Sequence, residues 1–181
     1  MQIHDFSIMG PKLLTLKKFA DERGFFVERY RQDSFKEAGL DINFIQDNFS
    51  LSQQNVLRGL HFQFDRPQGK LVTCMQGSLF DVIVDIRKDS PTFGQSLSVT
   101  LESKNPQWFW VPPGFAHGFC ALEDQTVAYY KVDQYYNAKG EGSLHWADPE
   151  LAIKWPITKP ILSPKDEQAP PFANYVTAPR F

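Results

Sequence analysis

Alternation of apolar and polar residues dominates the middle of the chain. Strand-type segments recur there between Gly, Pro and Ser residues, at positions 71–75, 79–87, 96–102, 108–111 and 126–134. The first two are separated only by Gln76, Gly77 and Ser78, which predicts a hairpin. In the second segment Phe80, Val82, Val84 and Ile86 share one face, and Asp81, Ile83, Asp85 and Arg87 share the other. At least one face of this strand therefore belongs to the core.

Helix signals are scarce. Ser34 and Glu37 have the spacing of a capping box, and Gly39 stands where a helix commonly stops, so one short helix is predicted in the amino-terminal part. After Trp146 the pattern breaks into Pro-rich sequence, which predicts that the carboxyl end wraps around the strands. Many short strands and one helix indicate an all-β sandwich or barrel, compatible with a double-sheet jelly roll.

Composition and charge narrow the class. A length of 181 residues with 42% hydrophobic and 22% charged residues fits one folded domain over residues 1–181. A net charge of −2 without a basic block argues against nucleic-acid binding. No apolar run approaches the ~20 residues of a membrane span and no leader is visible, so we expect no membrane contact and a cytoplasmic location. Cys74 and Cys120 are expected to be buried free thiols.

Two phrases place histidines among apolar residues. LRGLHFQ (57–63) contains His61, and PPGFAHGF (112–119) contains His117. In the second phrase Pro112, Gly114 and His117 fit a PxGxxH pattern that resembles the second motif of cupin barrels, and this resemblance implies that His117 faces inward.

The metal-binding version of that barrel is not supported by the residues present. In metal-binding cupins the first motif supplies HxH followed by Glu, whereas here His61 is followed by Gln63, and Gln68 stands near the carboxylate position. Two imidazoles without a charged ligand are a poor divalent-metal set, so we predict no metal and no metal-dependent oxygenase.

Without a metal, His61 is free to act as an acid or base, because an unperturbed imidazole has a pKa of about 6.5. Its orienting carboxylate is either Asp81 or Asp166, and the spacing alone does not choose between them. The pattern alone also leaves open that His61 is a hydrogen-bonded core histidine.

A series of phrases, read in order along nearly the whole chain, resembles the dTDP-4-dehydrorhamnose 3,5-epimerase family. They are DERGFFVE (21–28), QDNFS (46–50), NVLRGLHFQ (55–63), QGKLV (68–72), FDVIVDIR (80–87), SPTFG (90–94), PPGFAHGF (112–119), YK (130–131), YY (135–136), EG (141–142), WP (155–156) and LSPKD (162–166).

This resemblance implies a double-stranded β-helix, the cupin jelly roll, and a cofactor-independent reaction. The reaction is epimerisation at C3 and C5 of dTDP-4-dehydro-6-deoxy-D-glucose to dTDP-4-dehydro-L-rhamnose, in dTDP-L-rhamnose biosynthesis. By the same resemblance His61 accepts the proton, Tyr130 donates one, and Asp166 pairs with His61. Lys70 is expected to stabilise the enolate oxygen.

The resemblance also implies the substrate contacts. The diphosphate is expected near Arg23, Arg58 and Lys165, whereas sugar or base contacts are expected from Glu28, Gln46, Asp47, Asn48 and Glu141. His117 is expected to line the same pocket, and Tyr136 rather than Tyr135 is expected to stack on thymine. Family members are homodimers in which the DERG region reaches the partner's site, so a homodimer is expected here.

Two alternatives remain beside this reaction. One is a related enzyme of the same barrel, which inverts a single carbon or isomerises the 4-keto sugar to a 3-keto sugar, and needs the same base and enolate. The other is a sugar-binding barrel without catalysis. We disfavour the latter, because burying His61, Lys70, Tyr130 and Asp166 together costs free energy unless they are used or paired.

Overall fold

Two antiparallel sheets form the computed structural model, which describes residues 1–181. The strands in chain order are β1 (Gln2–Asp5), β2 (Lys12–Thr15), β3 (Phe19–Asp21), β4 (Gly24–Phe26), β5 (Gln46–Ser52), β6 (Leu57–Gln63), β7 (Lys70–Gln76), β8 (Ser78–Asp85), β9 (Ser96–Glu102), β10 (Gln107–Val111), β11 (Phe115–Ala121), β12 (Thr126–Val132) and β13 (Glu141–Ser143). One sheet has the order β1-β2-β10-β7-β12-β5 and the other β13-β6-β11-β8-β9, while β3 and β4 form a separate hairpin. The predicted all-β jelly roll is confirmed.

The predicted hairpin of residues 71–87 is wrong, although both strands exist. β7 pairs with β10 and β12, whereas β8 pairs with β9 and β11, so the two strands lie in different sheets. Gly77 makes the change of sheet with a φ of +73°, and an added Cβ would lie 2.5 Å from Thr126 Oγ1. Both strands are buried over most of their length, so their residue pattern does not distinguish a hairpin from a crossing between sheets.

The amino-terminal helix, α1 (Gln32–Glu37), begins earlier than its predicted cap. Arg31 is the residue before the first turn and no side chain caps the helix, so the capping role assigned to Ser34 is wrong. The end is as predicted: Gly39 has a φ of +80°, and Leu40 N–H donates to the Phe35 carbonyl at 2.9 Å. Phe35 and Leu40 are both buried, which is the apolar contact typical of this helix end.

The carboxyl segment covers the outer face of the five-stranded sheet, as predicted. It contains two helices that the sequence analysis missed, α2 (Pro164–Glu167) and α3 (Phe172–Thr177). Phe172 and Tyr175 are buried in one cluster with Val82, Val84 and Ile86 of the β8 region. The opposite face of β8 lies in the core between the sheets, where Ile83 packs in another cluster. This explains why both faces of β8 are buried and carry apolar residues.

Other expectations concern the thiols, the membrane and the domain. Cys74 and Cys120 are buried free thiols, as predicted, and burial raises the pKa of each to about 11. None of the helices has the length and apolar character that a membrane crossing requires. The assignment of residues 1–181 to one domain stays a prediction.

A buried carboxylate closes the loop after β8. Asp85 accepts hydrogen bonds from Arg87 Nε at 2.9 Å, Ser90 Oγ at 2.6 Å and Thr92 Oγ1 at 2.6 Å. Burial raises the pKa of Asp85, but these hydrogen bonds outweigh burial and bring the pKa to about 2. The loop is therefore fastened to the sheet by a charge that is ionised at neutral pH.

We predict that Asp85→Asn lowers the free energy of unfolding by about 2–3 kcal/mol at pH 7. Because the folded pKa lies below the unfolded value of about 3.9, this stabilisation is present above pH ~4 and is lost as the pH falls toward 2. Urea denaturation of wild type and variant over this pH range measures it. Asp89→Asn, at an exposed position of the same loop, is the control and should change stability by less than about 0.5 kcal/mol. Equal effects of the two substitutions would contradict the prediction.

Candidate active site

A cavity with two lobes contains most of the predicted site residues. The outer lobe has a volume of about 340 Å³ and the inner lobe about 280 Å³. His61, Lys70 and Tyr130 line both lobes. The outer lobe is completed by Gln46, Asn48, Phe62, Gln63, Gln68, Tyr136 and Glu141. The inner lobe is completed by Ser50, Arg58, His117, Phe119, Ser163 and Asp166.

His61 is held by Asp166 and not by Asp81. The His61 Nε2 lies 2.5 Å from Asp166 Oδ1, and Ser163 Oγ donates to the other carboxylate oxygen at 2.8 Å. Burial raises the pKa of Asp166, but the hydrogen bonds from His61 and Ser163 outweigh burial and leave the pKa below its usual value. An ionised Asp166 accepts a proton from Nε2, so neutral His61 is assigned the tautomer with Nδ1 unprotonated.

Local sequence explains why Asp166 arrives at this place. Ser163 caps α2 by accepting from Asp166 N–H at 3.1 Å, and Pro164 occupies the first helical position. Ile161, two residues before Ser163, forms a parallel bridge with Val56, immediately before β6. The carboxyl segment is thereby fixed beside the strand that carries His61.

Asp81 pairs with the second histidine of the cavity. Both of its carboxylate oxygens lie 3.0 Å from His117 Nε2, and the pair is buried. His117 of β11 stands opposite His61 of β6 in the strand register. The two histidines therefore have separate carboxylate partners, and the choice left open by the sequence is settled geometrically.

Lys70 and Tyr130 project from the facing sheet on the neighbouring strands β7 and β12. Burial lowers the pKa of the Lys70 ammonium group to about 8, against the opposing effect of Asp81 and Glu141. Burial raises the pKa of the Tyr130 hydroxyl, and Arg58 only partly offsets this. At neutral pH the site therefore presents an ammonium and a protonated phenol on the side opposite His61.

Polar side chains at the rim of the outer lobe form a connected group. Tyr136 Oη donates to Glu141 Oε2 at 2.8 Å, and Lys165 Nζ lies 2.6 Å from the same oxygen. Gln46 Oε1 accepts from the Tyr136 backbone N–H at 3.3 Å, and Gln46 Nε2 donates to Asn48 at 2.9 Å. Tyr136 remains 60% exposed, so its ring is available to an occupant of the outer lobe.

Gln63 and Gln68 contribute to the site in a way the sequence analysis missed. Gln63 Nε2 donates to the Tyr135 carbonyl at 3.2 Å, and its Oε1 accepts from Asn137 N–H at 2.8 Å. Gln68 Nε2 donates to the Gln134 carbonyl at 2.6 Å. These amides therefore hold the loop that carries Tyr136. Their position in the lining of the outer lobe could not be predicted from the sequence, where they were considered only as replacements for metal ligands.

Lys165 reaches the cavity only through its ion pair with Glu141, and three other predicted contacts lie outside it. Asp47 alternates with Gln46 and Asn48 on β5, so its carboxylate faces the outer surface, where it binds Lys131 at 2.7 Å and Tyr129 at 2.8 Å. Arg23 is paired with Asp21 at 2.6 Å at the tip of the β3–β4 hairpin, and Glu28 is paired with Arg31 at 2.5 Å. None of the three side chains lines either lobe.

Comparison with known proteins adds the family. A model of the dTDP-4-dehydrorhamnose 3,5-epimerase family matches residues 5–174. The chain belongs to this family. It is 50% identical over 171 residues to the dTDP-4-dehydrorhamnose 3,5-epimerase of Salmonella typhimurium, covering 93% of this chain and 91% of that protein.

A solved structure and a relative with a different named activity were also compared with this chain. The structure of the 3,5-epimerase of Legionella pneumophila in complex with dTDP-4-keto-L-rhamnose matches with a TM-score of 0.91 at 46% identity, covering 95% of this chain and 93% of that one. A dTDP-4-dehydrorhamnose 3-epimerase of Streptomyces niveus is 39% identical over 93% of this chain and 83% of that protein. The relatives of this chain therefore include proteins named as 3,5-epimerases and a protein named as a 3-epimerase.

Metal ligands are not assembled in this family member. No group of three or more His, Cys, Asp or Glu side chains is arranged to hold a metal ion. His61 and His117 each face a carboxylate of their own instead of a common point. The metal-free and cofactor-free character of the enzyme stays a prediction, which elemental analysis of protein purified without chelator tests.

We predict that Lys70 titrates with a pKa of about 8 in the free protein. Because Glu141 raises this pKa, Glu141→Gln should move the titration to lower pH. Carbon-13 NMR of the lysine Cε resonances, assigned with Lys70→Arg, measures both values. A Lys70 titration near the ordinary value of about 10.4 would contradict the burial of its ammonium group.

Proposed function

We propose that this chain epimerises a dTDP-4-keto-6-deoxyhexose at C3 and C5, as the named activity of its relatives suggests, and that it acts in dTDP-L-rhamnose biosynthesis. The observation that carries the proposal is the state of three reactive atoms at one cavity. His61 is bonded only through Nε2, and neither Lys70 Nζ nor Tyr130 Oη has a hydrogen-bond partner in the protein. Each atom is free to meet a substrate.

The first step uses the acidity of carbons beside a ketone. His61 Nδ1 removes a proton from C3 or C5, and the electron pair left on carbon moves into the carbonyl, giving an enolate. The developing charge on the C4 oxygen is stabilised by the Lys70 ammonium group, in a site partly shielded from water. Asp166 stabilises the imidazolium that forms, since its carboxylate already accepts from Nε2.

The second step returns a proton from the opposite side. Tyr130 Oη donates to the same carbon, the enolate collapses to the ketone, and the configuration at that carbon is inverted. Tyr130 suits this role because burial keeps its hydroxyl protonated at neutral pH. His61 and Tyr130 reach the cavity from different sheets, which supports protonation on the face opposite to deprotonation. Substrate and product are isomers, so no electron carrier is consumed.

The polar outer lobe suits the nucleotide. Tyr136 offers an exposed ring for the thymine, beside the amides of Gln46 and Asn48. Lys165 and Arg58 offer cations for the diphosphate, and His117 lines the inner lobe where the hexose is bound. Asp47 is a substrate contact only through its backbone in this proposal, because its side chain faces outward.

Epimerisation at C3 alone is the second candidate function. It is favoured by the relative named as a dTDP-4-dehydrorhamnose 3-epimerase, which aligns over 93% of this chain. The same base, ammonium and phenol serve both reactions, since only the number of carbons presented to His61 differs. Isomerisation to a 3-keto sugar needs the same enolate and is decided by the same experiment.

We further propose a homodimer in which the β3–β4 hairpin of one subunit reaches the cavity of the other. The hairpin exposes Phe19, Phe25 and Phe26 by 51%, 53% and 67%, which is a large apolar surface for a monomer. Arg23 lies at its tip with a side chain that is 85% exposed and remote from the cavity of its own subunit. A shared site would bring Arg23 to the diphosphate of the partner's substrate and Glu28 to its sugar or base.

Deuterium exchange tests the reaction. In deuterated water we expect the wild type to introduce label at both C3 and C5 of dTDP-4-keto-6-deoxyglucose, read by proton NMR. His61→Ala should lower the exchange rate at both carbons by at least about 100-fold, because it removes the base. Tyr130→Phe should lower epimerisation more than exchange, since the base and enolate remain.

His4→Ala provides the control, because His4 is exposed on β1 and distant in the fold from the cavity. It should exchange at the wild-type rate. Label at C3 alone would select the single-carbon reaction, and an active His61→Ala would refute the assignment of the base.

Subunit mixing tests the shared site. Arg23→Ala and His61→Ala should each lower kcat/KM by about 100-fold as homodimers. After unfolding and refolding together they should regain about a quarter of wild-type activity, because about half of the dimers are mixed and each mixed dimer has one intact site. Light scattering reports the dimer in parallel. No recovery in refolded mixed dimers would contradict a site built from two subunits.

A further inference from the structure

The inner lobe contains a hydroxyl that has no partner. Ser50 Oγ is completely shielded from solvent, and it is the one side-chain nitrogen or oxygen shielded to that degree without a hydrogen bond. Ser50 lines the inner lobe together with His61, Lys70 and Tyr130. A buried hydroxyl without a partner has given up its bonds to water without replacement, so such groups are rare and call for an explanation.

The position of Ser50 on its strand indicates what the hydroxyl faces. On β5 the residues Gln46, Asn48, Ser50 and Ser52 alternate with outward-facing ones and so point to the same side. The first two line the outer lobe, whereas Ser52 Oγ accepts from Arg58 Nε at 3.3 Å. Ser50 thus lies on the same face of β5 as Asn48, which lines the outer lobe, and Ser52, which is hydrogen-bonded to Arg58.

The neighbours of Ser50 explain why its hydroxyl has no hydrogen-bond partner in the protein. Ser50 is paired with Ala128 of β12, two residues before Tyr130, and Ala128 offers no side-chain donor or acceptor. Two other polar groups of the inner lobe are committed elsewhere, His117 to Asp81 and Ser163 to Asp166. Lys70 and Tyr130 have no partner in the protein, but neither bonds Ser50 Oγ. The occupant of the lobe is left as the partner.

We propose that Ser50 is a further substrate-contacting residue, whose hydroxyl hydrogen-bonds a hydroxyl group of the bound hexose. This inference rests on the proposed function. A serine hydroxyl both donates and accepts, so it matches a sugar hydroxyl, whereas the ketone oxygen is served by Lys70. Contact from the β5–β12 side fixes the rotation of the ring and keeps the carbons beside the ketone between His61 and Tyr130.

Ser50→Ala separates this role from a structural one. We expect kcat/KM for dTDP-4-keto-6-deoxyglucose to fall about ten-fold, which is typical for a lost hydrogen bond to substrate. The Kd of dTDP alone should stay unchanged, because the nucleotide occupies the outer lobe. Tm should be unchanged or higher, since the substitution removes a buried polar atom that has no partner.

Ser52→Ala is the matched control, because it removes a partnered hydroxyl from the same face of the same strand. Its Tm should fall, as Arg58 Nε loses an acceptor. Wild-type kcat/KM in Ser50→Ala, an equal loss of dTDP affinity, or a fall in Tm matching that of Ser52→Ala would each overturn the role of Ser50. If wild-type protein leaves the sugar nucleotide unchanged, the proposed function itself fails and the inference about Ser50 falls with it.

Discussion

The hydrogen bond between His61 and Asp166 is the contact on which the rest of the site depends. It joins residues that are 105 positions apart, one on a strand of the barrel and the other on a short helix of the carboxyl segment. The segment reaches that place because Phe172 and Tyr175 pack on the outer face of β8 and because Ser163 caps α2. The packing of apolar side chains on the outer face of the sheet thereby fixes the orientation of the base, His61, in the cavity.

Burial acts on the opposing side of the cavity in two directions. It lowers the pKa of Lys70 and raises that of Tyr130, because in each case it disfavours the charged form. The carboxylates of Asp81 and Glu141 limit the first shift, so the lysine remains a cation at neutral pH. The same side of the cavity can therefore carry Lys70 as a cation, which stabilises the developing oxyanion, and Tyr130 as a neutral acid, which protonates the carbanion.

Much of the fold follows from the sequence. Period-two alternation located β7, β8, β9, β10 and β12 but missed β11 and β13, and the Pro-rich end predicted the wrapping segment. The crossing at Gly77 was not predictable from the same pattern, because strands buried on both faces look alike in a hairpin and in two sheets. The cap at Ser34 failed because tertiary contacts of Phe35 and Leu40 set the register of α1 more strongly than one hydroxyl does.

The sequence predicted the site less completely than the fold. Period two along β5 already separates Asp47 from Gln46 and Asn48, and applying it would have excluded the Asp47 side chain. The partner of His61 was not available from spacing, because Asp81 and Asp166 are distant in sequence and only the packed fold brings Asp166 to it. Ser50 was invisible for the same reason, since a missing partner is a property of the folded surroundings.

We propose that Asp166 holds His61 with the proton on Nε2 and the lone pair of Nδ1 toward the substrate. Two-bond proton–nitrogen correlation spectra of nitrogen-15-labelled protein at neutral pH measure this tautomer directly, with the resonance assigned through His61→Asn. We expect a protonated Nε2 and an unprotonated Nδ1 for His61, and loss of that preference in Asp166→Ala. A proton on Nδ1, or a tautomer unaffected by removal of Asp166, would contradict it.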